Sequence, residues 1–196
     1  MIENMFENYS IFMILLFYLI GSIPFAVLIS KMFSLPDPRS FGSNNPGATN
    51  VMRSGNKVAG VLTFLFDLLK AYIPIHVLKI YGFEMILLCL LSFAIIVGHL
   101  YSLFLNFKGG KGVATSYGAL LGIDIMAGLY AMLVWLITFI LFRISGLSAI
   151  ISFLLLPSII YVLELNYLIL IFSFIITLLI LFSHRRNIVD FILKKT

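Results

Sequence analysis

The chain has 196 residues, of which 62% are hydrophobic and 11% charged, with a formal net charge of +5 and a mean hydropathy of +1.13. That balance excludes a water-soluble domain and describes a polytopic membrane protein, long enough for one domain of six or seven spans with short loops. Cys89 is the only cysteine and sits among leucines, so an internal disulfide and a thiolate metal cluster are both excluded.

The first apolar stretch, residues 9–28, has no basic flank before it and reads as a span rather than a cleavable leader. It carries Gly21-Ser22-Ile23-Pro24-Phe25. A polar loop from Asp37 to Arg53 follows, and so long a loop is unusual in a compact chain. Its Gly, Ser, Asn and Thr residues offer hydrogen-bond donors and Arg53 offers a forked cation, with a plain flexible connector as the alternative. Residues 58–78 form the second span, in which Asp67 and Lys70 stand three apart. Charges in a bilayer are costly unless paired, so these two are expected to face each other or the bundle interior, as an ion pair or on a proton or ion path.

The third span, residues 83–105, leads into Phe107-Lys108-Gly109-Gly110-Lys111-Gly112-Val113-Ala114-Thr115. Glycines let backbone N–H groups approach a ligand and the lysines supply charge, which suits a phosphate-like anion; a basic flank on anionic lipid is the other reading. Neither polar loop has the spacing of a nucleoside-triphosphate loop, so an ATPase has no support. Residues 113–142 are long for one tilted span, and Gly118, Gly122, Asp124 and Gly128 interrupt them. Gly118 and Gly122 suit close helix packing. The turn Arg143-Ile144-Ser145-Gly146-Leu147-Ser148 precedes a span at 147–163, and a last span at 167–182 ends in Ser183-His184-Arg185-Arg186-Asn187. His184 and Asn187 share a helix face there.

The charges choose between one span and two at 113–142. With two, near 113–123 and 126–142, eleven of the thirteen Lys and Arg residues fall on one side, leaving Lys79 opposite and Lys70 within a span. With one, Arg143 and the basic tail with Lys194 and Lys195 move outside. The positive-inside rule favours two. The expected fold is therefore all-α, one domain over 1–196 with seven transmembrane helices, the fourth short, the N-terminus outside and the C-terminus cytoplasmic. Every polar cluster then opens on the cytoplasmic side, where one site can collect them.

Taken together, Gly21–Phe25, the 42–53 loop, Asp67/Lys70, Gly98-His99 leading into 107–115, and His184/Asn187 resemble the bacterial acyl-phosphate:glycerol-3-phosphate acyltransferases. The resemblance spans nearly the whole chain, in order. It implies transfer of an acyl chain from acyl phosphate to the sn-1 hydroxyl of glycerol 3-phosphate, giving lysophosphatidic acid and phosphate, in a bacterial cytoplasmic membrane. An acyl phosphate is already activated, so no enzyme nucleophile is needed, and no Gly-x-Ser-x-Gly elbow is present. Carried onto this chain, Ser43, Arg53, Lys111, His184 and Asn187 would surround glycerol 3-phosphate as the catalytic set. Asn45, Gly47, Thr49, Asn50, Lys108, Gly109, Gly110 and Gly112 would bind substrate, the glycine backbones cradling the phosphoryl group of the donor. Ser145 and Ser148 are equal candidates for a further site serine. His184 or a substrate phosphate would accept the hydroxyl proton.

No cofactor is implied, and His76, His99 and His184 have no metal-ligand spacing. The expected partners are the two substrates, membrane lipids and the enzyme that makes the acyl phosphate, with no nucleic acid. Four positions depart from the family pattern: Ala26, Asn44 and Ala71 replace glycines and Ser102 replaces a proline. Two other readings remain open at this point: a small transporter of an anionic solute with Asp67/Lys70 on its path, and an inactive scaffold of the same family.

Overall fold

A computed structural model describes residues 2–193, and its regular structure is helical throughout. Lys194 and Lys195 lie outside the described residues. The helices run α1 (Ile2–Ser22), α2 (Phe25–Met32), α3 (Ala48–Met52), α4 (Lys57–Ile80), α5 (Met85–Leu100), α6 (Val113–Ile123), α7 (Ile125–Phe142), α8 (Ser145–Val162), α9 (Tyr167–Ser183) and α10 (Arg185–Ile192), with a 3-10 turn at Leu103–Leu105.

Five segments are long and apolar enough to cross a membrane: Ile11–Met32, Lys57–Ile80, Met85–Leu105, Ile125–Phe142 and Ser145–Val162. Tyr167–Ser183 and Arg185–Phe191 make a sixth when taken as one span bent by 61°. The molecule is thus an all-helical membrane bundle of five to six long apolar segments. Residues 113–142 form two helices, because Asp124 leaves the helical conformation and its carboxylate caps α7 by accepting from the Ala127 N–H at 2.9 Å. The 11 residues of α6 rise only about 16 Å at ~1.5 Å each, roughly half a bilayer core.

The first apolar segment breaks because Pro24 has no N–H to donate and disfavours a helical Ile23. That break frees carbonyls for other elements: Ser102 Oγ donates to the Ser22 carbonyl at 2.5 Å and Lys70 Nζ to the Ile23 carbonyl at 3.1 Å. Asp67 and Lys70 do face each other, at 2.7 Å with side chains 4% and 2% exposed.

Small residues set the closest helix approaches. A Cβ on Gly21 would lie 2.1 Å from the Ile95 carbonyl oxygen and one on Gly98 2.2 Å from that of Tyr18, so α1 and α5 pack backbone to backbone. Gly118 meets the Leu68 carbonyl in the same way and Gly122 abuts Ile75, seating α6 on α4. Buried hydroxyls tie the remaining helices. Tyr117 donates to Ser152 Oγ at 3.1 Å, Ser152 to the Ala131 carbonyl at 2.6 Å and Thr177 to that of Phe153 at 2.7 Å.

Candidate active site

Four separate stretches of chain meet at one end of the bundle and form a closed ring of contacts. The loop before α3 touches α8 through Thr49 Oγ1 and Ser145 Oγ, 3.0 Å apart. The start of α8 touches the last cluster, since a Cβ on Gly146 would lie 3.0 Å from Asn187 Nδ2 and 3.9 Å from His184 Cδ2. That cluster holds the glycine loop through Lys111 Nζ donating to Asn187 Oδ1 and Ser183 Oγ donating to the Lys111 carbonyl at 3.0 Å. The ring closes where Gly110 meets the first loop, its Cβ position only 3.1 Å from the Pro46 carbonyl.

The glycine loop dips into the bundle. Gly112 has φ +85°, open to glycine with little strain, and a Cβ there would lie 2.5 Å from Leu100 Cδ1 and 3.4 Å from Ile180 Cδ1. Its neighbours are thus side chains at the inner ends of α5 and α9, which is why α6 starts deep and is short. Side chains of Asn56, Asp124 and Asn166 cap α4, α7 and α9, whereas α6 and α8 have no side-chain cap. Their first-turn N–H groups are left for water or an anion, at the positive ends of two helix dipoles. Thr115 Oγ1 and Ser116 Oγ, in that first turn of α6, are buried with no hydrogen-bond partner.

The residues selected by resemblance separate into distinct places. Ser43 is exposed on the loop, and Arg53 is exposed with no carboxylate partner among the described residues. Arg39, by contrast, is paired with Asp37 at 2.7 Å. Asn50 is buried, and its amide is committed inside the loop: it accepts from the Ser43 N–H at 3.0 Å and donates to the carbonyls of Pro38 and Phe41 at 2.6 and 3.0 Å. Its side chain therefore shapes the loop. Gly47 stands at the start of α3 with extended backbone, beside Asn45 Nδ2. Lys108 is exposed on the flank of the ring.

The N–H groups of Gly109 and Gly110 already donate to the carbonyls of Leu100 and His99 at 2.9 and 3.1 Å. They anchor the loop to α5, which leaves Gly112 and the start of α6 as its free donors. Ser148 is fully buried and donates to the Ile144 carbonyl of its own helix at 2.9 Å, while Ser145 lies on the ring.

The family described as glycerol-3-phosphate acyltransferase matches residues 11–194. Glycerol-3-phosphate acyltransferases of Methylobacillus flagellatus and Nitrosomonas eutropha are 45% and 46% identical over 174 and 182 residues, covering 87% and 91% of both chains. Two crystal structures of PlsY (YgiH), an integral membrane glycerol 3-phosphate acyltransferase, superpose with TM-scores of 0.87 and 0.86 at 35% and 34% identity, over 94% of this chain and 92% of theirs. One is the glycerol 3-phosphate form and the other the lysophosphatidic acid form.

The chain belongs to the glycerol-3-phosphate acyltransferase family.

Within this acyltransferase family the chain's departures are accommodated. Asn44 adopts φ +53°, the left-handed conformation that asparagine tolerates best after glycine. Ser102 ties the 3-10 turn to the broken first span, through the Ser22 bond above, and Ala26 and Ala71 are buried with at most 1% exposure. The transporter reading loses its pathway, because Asp67 and Lys70 are closed upon each other and sealed from solvent.

The ring holds two titratable groups away from their usual values. Burial pushes the Lys111 ammonium below the ordinary lysine value and the nearby Arg53 charge adds to that, with Asp190 opposing. Burial holds the His184 imidazole down to about 4; a backbone hydrogen bond to Ile180 opposes this and the Lys111 charge adds to it. His184 lies within 2.9 Å of the Ile180 carbonyl through Nδ1. A carbonyl only accepts, so the proton is on Nδ1 and Nε2 keeps its lone pair.

A stability consequence follows. The unfolded chain takes up the His184 proton as pH falls through its ordinary value of 6.5, whereas the folded chain resists until about 4. Stability is therefore full above 6.5 and declines as pH falls towards 4. Thermal unfolding in detergent, measured from pH 7.5 down to 4.5, is expected to show a falling midpoint that His184→Gln flattens; equal slopes for both proteins would contradict the assignment.

Proposed function

We propose that this chain transfers an acyl group from an acyl phosphate to the sn-1 hydroxyl of glycerol 3-phosphate, releasing lysophosphatidic acid and inorganic phosphate. The observation that carries it is the ring itself. Lys111 and Arg53 and two uncapped helix starts gather around a place for phosphate, and no activated nucleophile stands among them. Ser183 is the nearest candidate, but it meets His184 only at Nδ1, 3.1 Å away, and that nitrogen carries the proton. The glycerol hydroxyl oxygen therefore attacks the acyl carbonyl carbon directly. An ester C–O bond forms, the C–O bond to phosphate breaks, and the hydroxyl proton goes to the departing phosphate or to His184 Nε2.

In this reading Ser43, Arg53, Lys111, His184 and Asn187 hold glycerol 3-phosphate. Thr49, Ser145, Gly47, Gly112 and the first turn of α6 hold the donor phosphoryl group, with Asn45 and Lys108 at the rim. Asn50, Gly109 and Gly110 shape the loops around it. The acyl chain lies in an apolar groove of about 470 Å³ lined by Phe64, Tyr117, Leu129, Met132, Leu133 and Leu136, which begins one turn beyond the start of α6. Narrowing it by Leu133→Trp is expected to shift the preferred donor to shorter acyl phosphates, read as the ratio of kcat/KM for decanoyl and palmitoyl phosphate; an unchanged ratio puts the chain elsewhere.

On this reading the chain crosses seven times, with α6 as the short fourth, and the ring opens on the cytoplasmic face of a bacterial membrane, the side from which both substrates and the enzyme supplying acyl phosphate would reach it. The burial of α6 from Thr115 to Leu120 supports a short span shielded by its neighbours. The test is phosphate release and lysophosphatidic acid formation by purified protein given palmitoyl phosphate and glycerol 3-phosphate, beside palmitoyl-CoA. Turnover with the phosphate donor alone is expected; no turnover by monodisperse protein would establish the inactive scaffold instead.

A further inference from the structure

Asp67, Lys70 and His99 form a buried polar group that the site above does not use. An ammonium has three N–H bonds and no lone pair. Lys70 Nζ finds three acceptors: Asp67 Oδ1 at 2.7 Å, His99 Nδ1 at 2.9 Å and the Ile23 carbonyl at 3.1 Å. The last of these is free because Pro24 ends α1. Asp67 Oδ1 also faces His99 Nδ1 but from 3.5 Å, and its close partner is Lys70; the shorter contact has Nδ1 accept from the Lys70 ammonium, which puts the proton of the neutral ring on Nε2.

The Nε2 edge faces the glycine loop. A Cβ on Gly110 would lie 2.3 Å from His99 Nε2 and 3.1 Å from the Pro46 carbonyl, so this nitrogen stands where the two polar loops touch. No described group accepts from it, and the His99 side chain is only 10% exposed. The adjoining N–H groups of Gly109 and Gly110 are turned back onto α5. Nε2–H thus adds a side-chain donor at this junction to the free donors of Gly112 and the start of α6.

We propose that His99 donates from Nε2–H to the phosphoryl group held between the Pro46–Gly47 and Gly109–Gly112 segments, and that Asp67 and Lys70 are positioning residues that fix its ring and tautomer. The proposal rests on the acyl-phosphate reading of the same site. An Asp–Lys pair within the bundle then has a use beyond its own neutralisation: it holds a histidine in one orientation from the side remote from substrate.

Two variants separate donation from packing. Asparagine at 99 places an acceptor near the Nδ1 position for Lys70 but reaches no further; glutamine places an N–H near the Nε2 position. With palmitoyl phosphate varied, His99→Asn is expected to lose roughly 10- to 100-fold in kcat/KM, as for a hydrogen bond to a charged group, with the KM for glycerol 3-phosphate unchanged. His99→Gln is expected to recover part of that loss. Wild-type behaviour of His99→Asn, or equal loss in both variants, would overturn the proposal. The wild-type protein supplies a readout that needs no stable variant and no turnover: in its ¹⁵N-histidine spectrum His99 is expected as the Nε2–H tautomer, its Nε2 signal moving on addition of inorganic phosphate. An Nδ1–H tautomer, or no movement, also overturns it. If phosphate moves the signal but the wild type shows no turnover, the activity reading fails and the phosphate contact stands.

Discussion

Lys111→Ala is expected to lower kcat/KM for acyl transfer by about 10²- to 10³-fold, the usual loss when a buried charge-stabilising donor is removed from a transition state. Lys111 sits at the junction of the glycine loop and α10, half-buried, with its ammonium on Asn187 Oδ1 and its carbonyl held by Ser183. In the proposed mechanism its charge meets the phosphate of glycerol 3-phosphate and the charge developing on the departing phosphate. The depressed pKa, set by burial and then by Arg53, shows that the surroundings disfavour the Lys111 charge, and a phosphate beside it would offset that cost. Lys111→Arg is not expected to rescue, because a planar fork cannot reproduce a compact ammonium donating to Asn187. Initial rates of phosphate release, with each substrate varied in turn, check this. A Lys111→Ala enzyme within tenfold of wild type would remove lysine from the mechanism.

Gly109→Ala is expected to cost about 10²-fold in activity, the effect of shifting a reacting group by roughly an ångström, and to lower stability by about 1–3 kcal/mol through the two hydrogen bonds it breaks. Its Cβ would lie 2.0 Å from the His99 carbonyl oxygen and 2.8 Å from that of Leu100, both backbone atoms that cannot swing aside. The loop must lift off α5, breaking the Gly109 and Gly110 hydrogen bonds and carrying Lys111 with it. Gly55→Ala is the matched control: φ is +93° there, so strain of about 1–2 kcal/mol falls on stability, but nothing lies within 4 Å and activity should persist. Equal activity in the two alanine variants would mean that the loop need not stay on α5 for catalysis.

Much of this architecture is legible along the chain because its signals are local. Runs of apolar residues mark the spans, and Asp124 between two glycine-bearing stretches marks the division of residues 113–142 into α6 and α7, whereas the stretch read as one span at 9–28 breaks at Pro24. Asn44 illustrates a limit that is still local: asparagine in place of glycine left the loop geometry in question, and the left-handed backbone found there answers it. The uncertainty between Ser145 and Ser148 was of another kind. Both lie in one turn of α8, and the choice depends on which meets Thr49, 96 residues away.

The sequence by itself determined the solvent this protein lives in, the apolar helices suited to it, and the residue types of the candidate site, since each is written in neighbouring residues. Only the tertiary structure decided which of those groups are free to act. Asn50 and the N–H groups of Gly109 and Gly110 look like ligand donors in the chain, but folding commits them to carbonyls nearby. His99, in the sequence only part of the Gly98-His99 motif, has its Nδ1 set against Lys70 because Asp67 and the Ile23 carbonyl hold the ammonium there. A hydrogen-bonding group has a small, fixed number of partners, and which ones it takes is settled by contacts between distant segments.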